Sequence, residues 1–142
     1  VDARELGGAH RPQLGARHSR RLKGMGRMTG DENKTGRILA DEIGVSPSLG
    51  PNLPNVSVPY SALVPDRFDN MLLAGRHISS DAQTHTFMRE IPQCWMTGHA
   101  AGVAAAYSAN SGVKPRDLNV SEIQKSLAKQ GAFVRSEPPD TV

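Results

Sequence analysis

At 142 residues the chain has room for one domain with a sizeable core. Hydrophobic residues make up 37% and aromatic residues 4%, so that core must be built from aliphatic and small side chains. The net charge of +3 is unevenly laid: residues 1–37 hold nine Lys/Arg against four Asp/Glu, clustered at Arg17, Arg20, Arg21, Lys23 and Arg27. Such a segment suits a polyanion or an anionic ligand. No aromatic residue is interleaved with it, which argues against a nucleic-acid stacking platform. Cys94 is the only cysteine, which excludes an intrachain disulfide and a cysteine-rich zinc site. No apolar run reaches the length of a membrane span, and residues 1–6 lack a signal-peptide layout. The expectation is a cytoplasmic protein. The first residue is valine rather than methionine, which suggests a processed subunit or a piece of something longer.

In chain order, residues 1–36 are polar, glycine-rich and basic, with a candidate strand at 20–23. Residues 37–43 read as a short helix. Pro47, Pro51, Pro54, Pro59 and Pro65 then forbid a long helix and allow only turns and short edge strands. Val56-Ser57-Val58 and Ser61-Ala62-Leu63-Val64 are the strand candidates there. Asp69-Asn70 marks a turn, and the apolar run Met71-Leu72-Leu73-Ala74 suits a buried strand ending at Gly75. A helix is expected over 92–109, about 27 Å long, opened by Pro92 and stopped by Asn110-Ser111-Gly112. A second, amphipathic helix follows Asn119, with Val120, Ile123, Leu127 and Ala128 on its apolar stripe and Gly131 at its end. The tail from Ser136, with Pro138-Pro139, is expected to fray.

The long helix carries the chemistry. Gly98, Gly102 and Ala106 recur every four residues, so a strand or a flat ligand can approach closely; tight packing on a sheet would use the same stripe. Ile91, before Pro92, is a poor cap, and uncapped N–H groups with the helix dipole favour a negative group. His77, His85 and His99 have no zinc-site spacing and no H-E-x-x-H is present, so no metal is expected. His77 and His85 are read as loop residues, each either a general base or a solvent-exposed side chain. Cys94 is either a thiol of lowered pKa or a small buried residue. Trp95 and Phe87 read as packing residues.

Four collinear stretches carry a resemblance. Val58-Pro59-Tyr60-Ser61-Ala62-Leu63-Val64-Pro65 leads into Asp69-Asn70-Met71-Leu72-Leu73-Ala74-Gly75-Arg76-His77-Ile78-Ser79. Arg89, Pro92, Cys94, Gly98 and Ala100-Ala101-Gly102 follow without a gap. Upstream stand Arg17-His18-Ser19-Arg20-Arg21, Gly24 and Thr29-Gly30-Asp31; downstream stand Val113-Lys114-Pro115-Arg116-Asp117-Leu118 and Gln130-Gly131-Ala132. Over residues 17–133 the chain resembles the C-terminal part of FAD-dependent oxidoreductases of the broad glutathione-reductase-like superfamily. His99 departs from that pattern, where glutamine is common.

The resemblance implies an α/β (α+β) fold: the C-terminal portion of an FAD-binding fold, with a strand–loop–helix unit joined to part of a mixed-sheet substrate region. It divides the chain into a substrate-domain-like part at 1–66, an FAD-binding part at 67–135 and a tail at 136–142. It implies FAD as cofactor, with Ala74, Gly75, Arg76 and Ile78 toward the ribityl–pyrophosphate and Gln93, Cys94, Met96, Thr97 and Gly98 toward the flavin pyrimidine edge. It places Arg20 and Arg21 toward a small-molecule substrate, and His77 or His85 as base. The glycine-rich G-x-G-x-x-G loop that cradles the diphosphate is absent: Gly24-Met25-Gly26 has the first spacing, but Thr29 stands at the third glycine. A partner is therefore expected, either a separate chain carrying that loop or further copies of this chain. The functions in contention are a flavin-site subunit, a non-catalytic assembly subunit, and a basic polyanion-binding module.

Overall fold

The computed structural model describes residues 20–48 and 50–135. Arg17, the start of the basic stretch and the tail at 136–142 lie outside the described residues. The elements are α1 (Gly30–Asn33), β1 (Glu42–Ser46), β2 (Val56–Pro59), α2 (Ala82–Met88), α3 (Ile91–Ser111) and α4 (Val120–Lys129). The architecture is mixed α/β, with a two-stranded antiparallel sheet and four helices among the described residues.

The short helices form because their first turns are capped. Thr29 caps α1, its Oγ1 accepting the Glu32 N–H at 3.3 Å while its hydroxyl donates to the Glu32 carboxylate at 2.9 Å. The Thr-x-x-Glu spacing is that of a capping box, with the Glu32 carboxylate taking the Thr29 hydroxyl as its partner. Asp81 caps α2 and also reaches α1: Oδ1 accepts the Thr84 N–H at 2.7 Å and Oδ2 the Gly30 N–H at 2.8 Å. Burial pushes the Asp81 carboxyl up, but the donated Gly30 and Thr84 hydrogen bonds and the Arg27 charge hold it below the ordinary carboxylate range.

Both long helices lie where the sequence places them. Pro92 sits in the first turn of α3, and Gly112, with φ +70°, stops it by donating to the Ser108 carbonyl. Gly131, with φ +83°, follows α4, whose last turn closes through the Ala132 N–H on the Leu127 carbonyl.

β1 and β2 pair with Glu42 opposite Pro59 and Ser46 opposite Val56, with an irregularity between Glu42 and Gly44. α3 crosses β1 at Gly44, where an added Cβ would collide with the Met96 side chain. α4 packs against both α3 and β1. One core joins them: Ile43, Val58, Leu63, Ile78, Met88, Ile123 and Leu127 are each almost wholly buried. Tyr60 is buried with them; its hydroxyl donates to the Pro115 carbonyl at 2.7 Å, and burial pushes its pKa up to about 12. Glu42 is fully buried on β1, where it receives the Ser57 hydroxyl, the Arg135 backbone N–H at 2.7 Å and the Arg135 guanidinium at 2.8 Å.

Four expected elements differ. Residues 71–74 lie in no sheet; they pass the core with the Leu73 N–H on the Leu63 carbonyl. The described residues supply no further strand to complete a ladder there, so the backbone settles for this single link. Residues 61–64 fall in and just after a 3₁₀ turn at Tyr60–Leu63, because the Asp41 carboxylate takes the Ser61 N–H at 2.9 Å and bends the chain after Pro59. Residues 37–43 form no helix; Glu42 and Ile43 are drawn into β1 by pairing with β2. Residues 20–23 make links rather than a strand: Leu22 N–H to the His77 carbonyl at 2.8 Å and Asp66 N–H to the Lys23 carbonyl at 3.0 Å.

Candidate functional site

Two expected cofactor segments meet. The turn after residues 71–74 passes through Gly75 at φ +82°, a left-handed conformation that disfavours any side chain. The Gly75 N–H donates to Thr97 Oγ1 at 2.9 Å, and the Thr97 hydroxyl donates back along α3 to the Gln93 carbonyl at 2.9 Å. Thr97 is fully buried, so one hydroxyl fixes residues 74–76 against the first turns of α3. A Cβ on Gly75 would stand 3.8 Å from Cys94 Sγ.

The start of α3 is open. Its cap, Glu90, makes no side-chain capping hydrogen bond, its carboxylate pairing with Arg89 at 3.3 Å instead, and Pro92 has no N–H. Gln93 is 8% exposed; its Nε2 donates to Ser46 Oγ at 3.0 Å, while its buried Oε1 has no partner among the described residues. Among the described residues, the first turn of α3 thus has no side-chain cap, and one buried side-chain acceptor in it has no donor.

The other expected residues divide. Arg76 is exposed, and Met96 is committed to the packing over Gly44. Ile78 is 1% exposed and points into the core, so only its backbone is offered to a ligand. Gly98 is exposed, and nothing lies within 4 Å of where its Cβ would be. Burial pushes the Cys94 thiol above its ordinary value, and the nearby Arg76 charge does not reverse this. Cys94 is therefore a half-buried thiol donating to the Arg89 carbonyl at 3.6 Å, not an activated one.

The histidines part company. His77 is exposed and lines a cavity of about 360 Å³ with Arg20, Arg21, Phe68, Met71 and Leu73. His85 is not a loop residue: it lies in α2 and is 2% exposed, because the Asp81 cap turns that segment helical and rolls the ring inward. His99 bridges α3 to α4 through Gln130, Nε2 to Oε1 at 2.9 Å. Among the described residues no group of three or more His, Cys, Asp or Glu could hold a metal ion. No described helix is long and apolar enough to cross a membrane.

Trp95 is 74% exposed and does not pack in the core, whereas Phe87 does pack against it. With Ile91, Gly98, Gly102 and Ala106, Trp95 forms an outward side of α3 that carries no charge. Ahead of the apolar run, Asp69 accepts from Lys114 at 2.7 Å and Arg116 at 2.8 Å. Both cations hold its carboxyl below the ordinary value, and the pair of bridges pins the turn that leads into residues 71–75.

Sequence reading missed Asp81, although a cap residue before Ala82-Gln83-Thr84 was there to be read, and it missed Ser46, whose contact with Gln93 spans 47 residues.

A loop tied by a buried threonine to an uncapped helix start thus follows the Val58–Pro65 stretch. Residues 50–127 match the sequence profile of the FAD dependent oxidoreductases, more than half of the chain, and the protein belongs to that family, whose cofactor is FAD. No curated protein and no solved structure matches the chain.

Proposed function

We propose that this chain supplies the flavin-embracing C-terminal part of an FAD-dependent oxidoreductase of the glutathione-reductase-like type. The diphosphate-cradling loop comes from a separate segment or chain. The observation that carries the reading is the Gly75–Thr97 hydrogen bond, which sets residues 74–76 beside the open start of α3. The donor set suits the group. A flavin pyrimidine edge presents one N–H donor and carbonyl oxygens that gain negative charge on reduction; Gln93 Oε1 can accept, and the free amides of α3 can donate. Ala74, Gly75, Arg76 and the Ile78 backbone would hold the ribityl side, and Cys94, Thr97 and Gly98 would frame the pyrimidine side, while Met96 stays packed over Gly44. FAD supplies the redox chemistry, accepting or giving electrons with a small organic substrate. The chain's own residues orient it, and Arg20, Arg21 and His77 line the cavity beside the loop, where an anionic substrate would be steered. The residue division at 66/67 fits this reading as a substrate-side part and a flavin-side part.

A non-catalytic assembly subunit is the second reading, favoured by the uncharged outward side of α3. Gly98→Val separates the two. Open space around Gly98 means the chain itself accommodates the side chain, and valine is no worse than glycine in a helix. In the native complex, isolated through a tag on this chain, the variant is expected to assemble normally and to lose most of its flavin absorbance per complex. A wild-type complex without flavin, or a variant with undiminished flavin, removes the flavin reading and leaves assembly.

A further inference from the structure

We propose that the cavity between α1, the turn at 35–41 and β2 is a binding site for a small organic monocarboxylate. It is separate from the flavin reading, since none of residues 74–78 or 93–98 lines it, and all its walls come from residues 26–61 of this chain. Its volume is about 330 Å³, at the small end of ligand sites, which start at about 300 Å³.

The charge in its walls is unevenly committed. The two acids are already held by protein donors: Asp41 takes the Ser61 N–H at 2.9 Å, and Glu32 takes the Thr29 hydroxyl at 2.9 Å. The two cations are not. Arg27 and Arg37 line the same cavity, and neither side chain is in a salt bridge or hydrogen bond among the described residues. The carboxylate whose charge Arg27 feels, Asp81, is occupied by the Gly30 and Thr84 amides. Two guanidinium forks without acceptors match a planar carboxylate. The acids beside them disfavour a doubly charged phosphate, and no helix of eight or more residues begins here to cradle one.

The walls are also fixed in shape. Gly26 lies against Ser61 so closely that any Cβ would collide with it, and its N–H donates to the Ser61 carbonyl at 3.0 Å. Gly36 turns the chain at φ +68°. Met28, Leu39 and Pro59 supply apolar surface for the body of the acid. A polar mouth with unanswered cations over an apolar floor is the pattern of a site for a short acid with a carbon chain.

The test is titration of the whole chain, without flavin, with n-butyrate, butyramide and inorganic phosphate, followed by calorimetry or amide shifts. Butyrate is expected to saturate with a Kd of about 1 mM, to shift amides within residues 26–61, and to bind better than butyramide or phosphate. Arg27→Ala and Arg37→Ala should each weaken it about tenfold or more. Both residues are exposed and make no salt bridge or side-chain hydrogen bond among the described residues, so folding should persist, as circular dichroism would verify. Arg67→Ala, at another exposed arginine outside the cavity, should leave binding unchanged. Failure of butyrate to saturate at tenfold higher concentration, equal binding of butyramide, tighter binding of phosphate, or indifference to both cavity arginines would overturn the proposal. None of those outcomes touches the flavin reading, which is measured on Gly98.

Discussion

Helix α3 and residues 71–74 both read from sequence as regular apolar elements, and only the helix takes the expected form. The difference is where each finds its hydrogen bonds. An α-helix satisfies its backbone within itself, so α3 forms over 21 residues although Ile91, Trp95, Gly98, Gly102 and Ala106 on its outward side are exposed. A strand satisfies its backbone only through neighbours. Residues 71–74 have one such link among the described residues, Leu73 to Leu63, and form no strand. A locally satisfied element survives the loss of its surroundings; a ladder does not.

The comparison can be broken on side chains. Leu127, 1% exposed where α4 meets the core, should cost about 3 kcal/mol when cut to alanine. Leu73, half-buried on the unpaired segment, should cost under about 1 kcal/mol. Urea unfolding of both variants measures this; equal costs would mean that residues 71–74 are as integral as the helices.

Next in size is the joint between the two regions. Gly75→Val places a β-branched residue at φ +82° and should lower stability by about 1–2 kcal/mol, read from the thermal midpoint. A neutral result would show that the turn relaxes freely and that Thr97 does not hold it.

The smallest effect is expected at Asp81, which caps α2 and ties it to α1. Asp81→Ala should cost about 1 kcal/mol at neutral pH. The wild-type carboxyl is held below its ordinary value in the fold, so its contribution is full above pH 3.8 and is lost as pH falls through the lower folded value. Wild type and variant should therefore converge in stability in acid; a constant gap would assign the effect to packing instead.

Much of the helical half was legible in the sequence because its signals are local. Pro92, Gly112, Asn119 and Gly131 mark the ends of α3 and α4 within a residue or two. The Thr29–Glu32 box and the Asp81 cap were equally local but head helices too short to show a period. β1 was hidden for the opposite reason. Its burial does not alternate, since Glu42 is buried by a partner 93 residues away and Gly44 is dictated by Met96 across the sheet. In the candidate site, Gly75 and the start of α3 could be named from motif spacing. That Thr97 joins them, that Ile78 turns inward and that His85 is buried are facts of the tertiary fold.

The Glu42 carboxylate carries a consequence for the order in which the molecule is made. As a ribosome extends the chain, β1 and β2 emerge long before Arg135, the residue whose amide and guanidinium both answer that carboxylate. Until then a strand bearing an unanswered carboxyl has no place in a dry core, and the sheet should remain open and hydrated while α3 and α4 are still being made. Closing it needs the residues just beyond α4, so a nascent chain stopped short of position 135 should lack the finished core, and a stretch made after both long helices acts as the latch on a strand made before them.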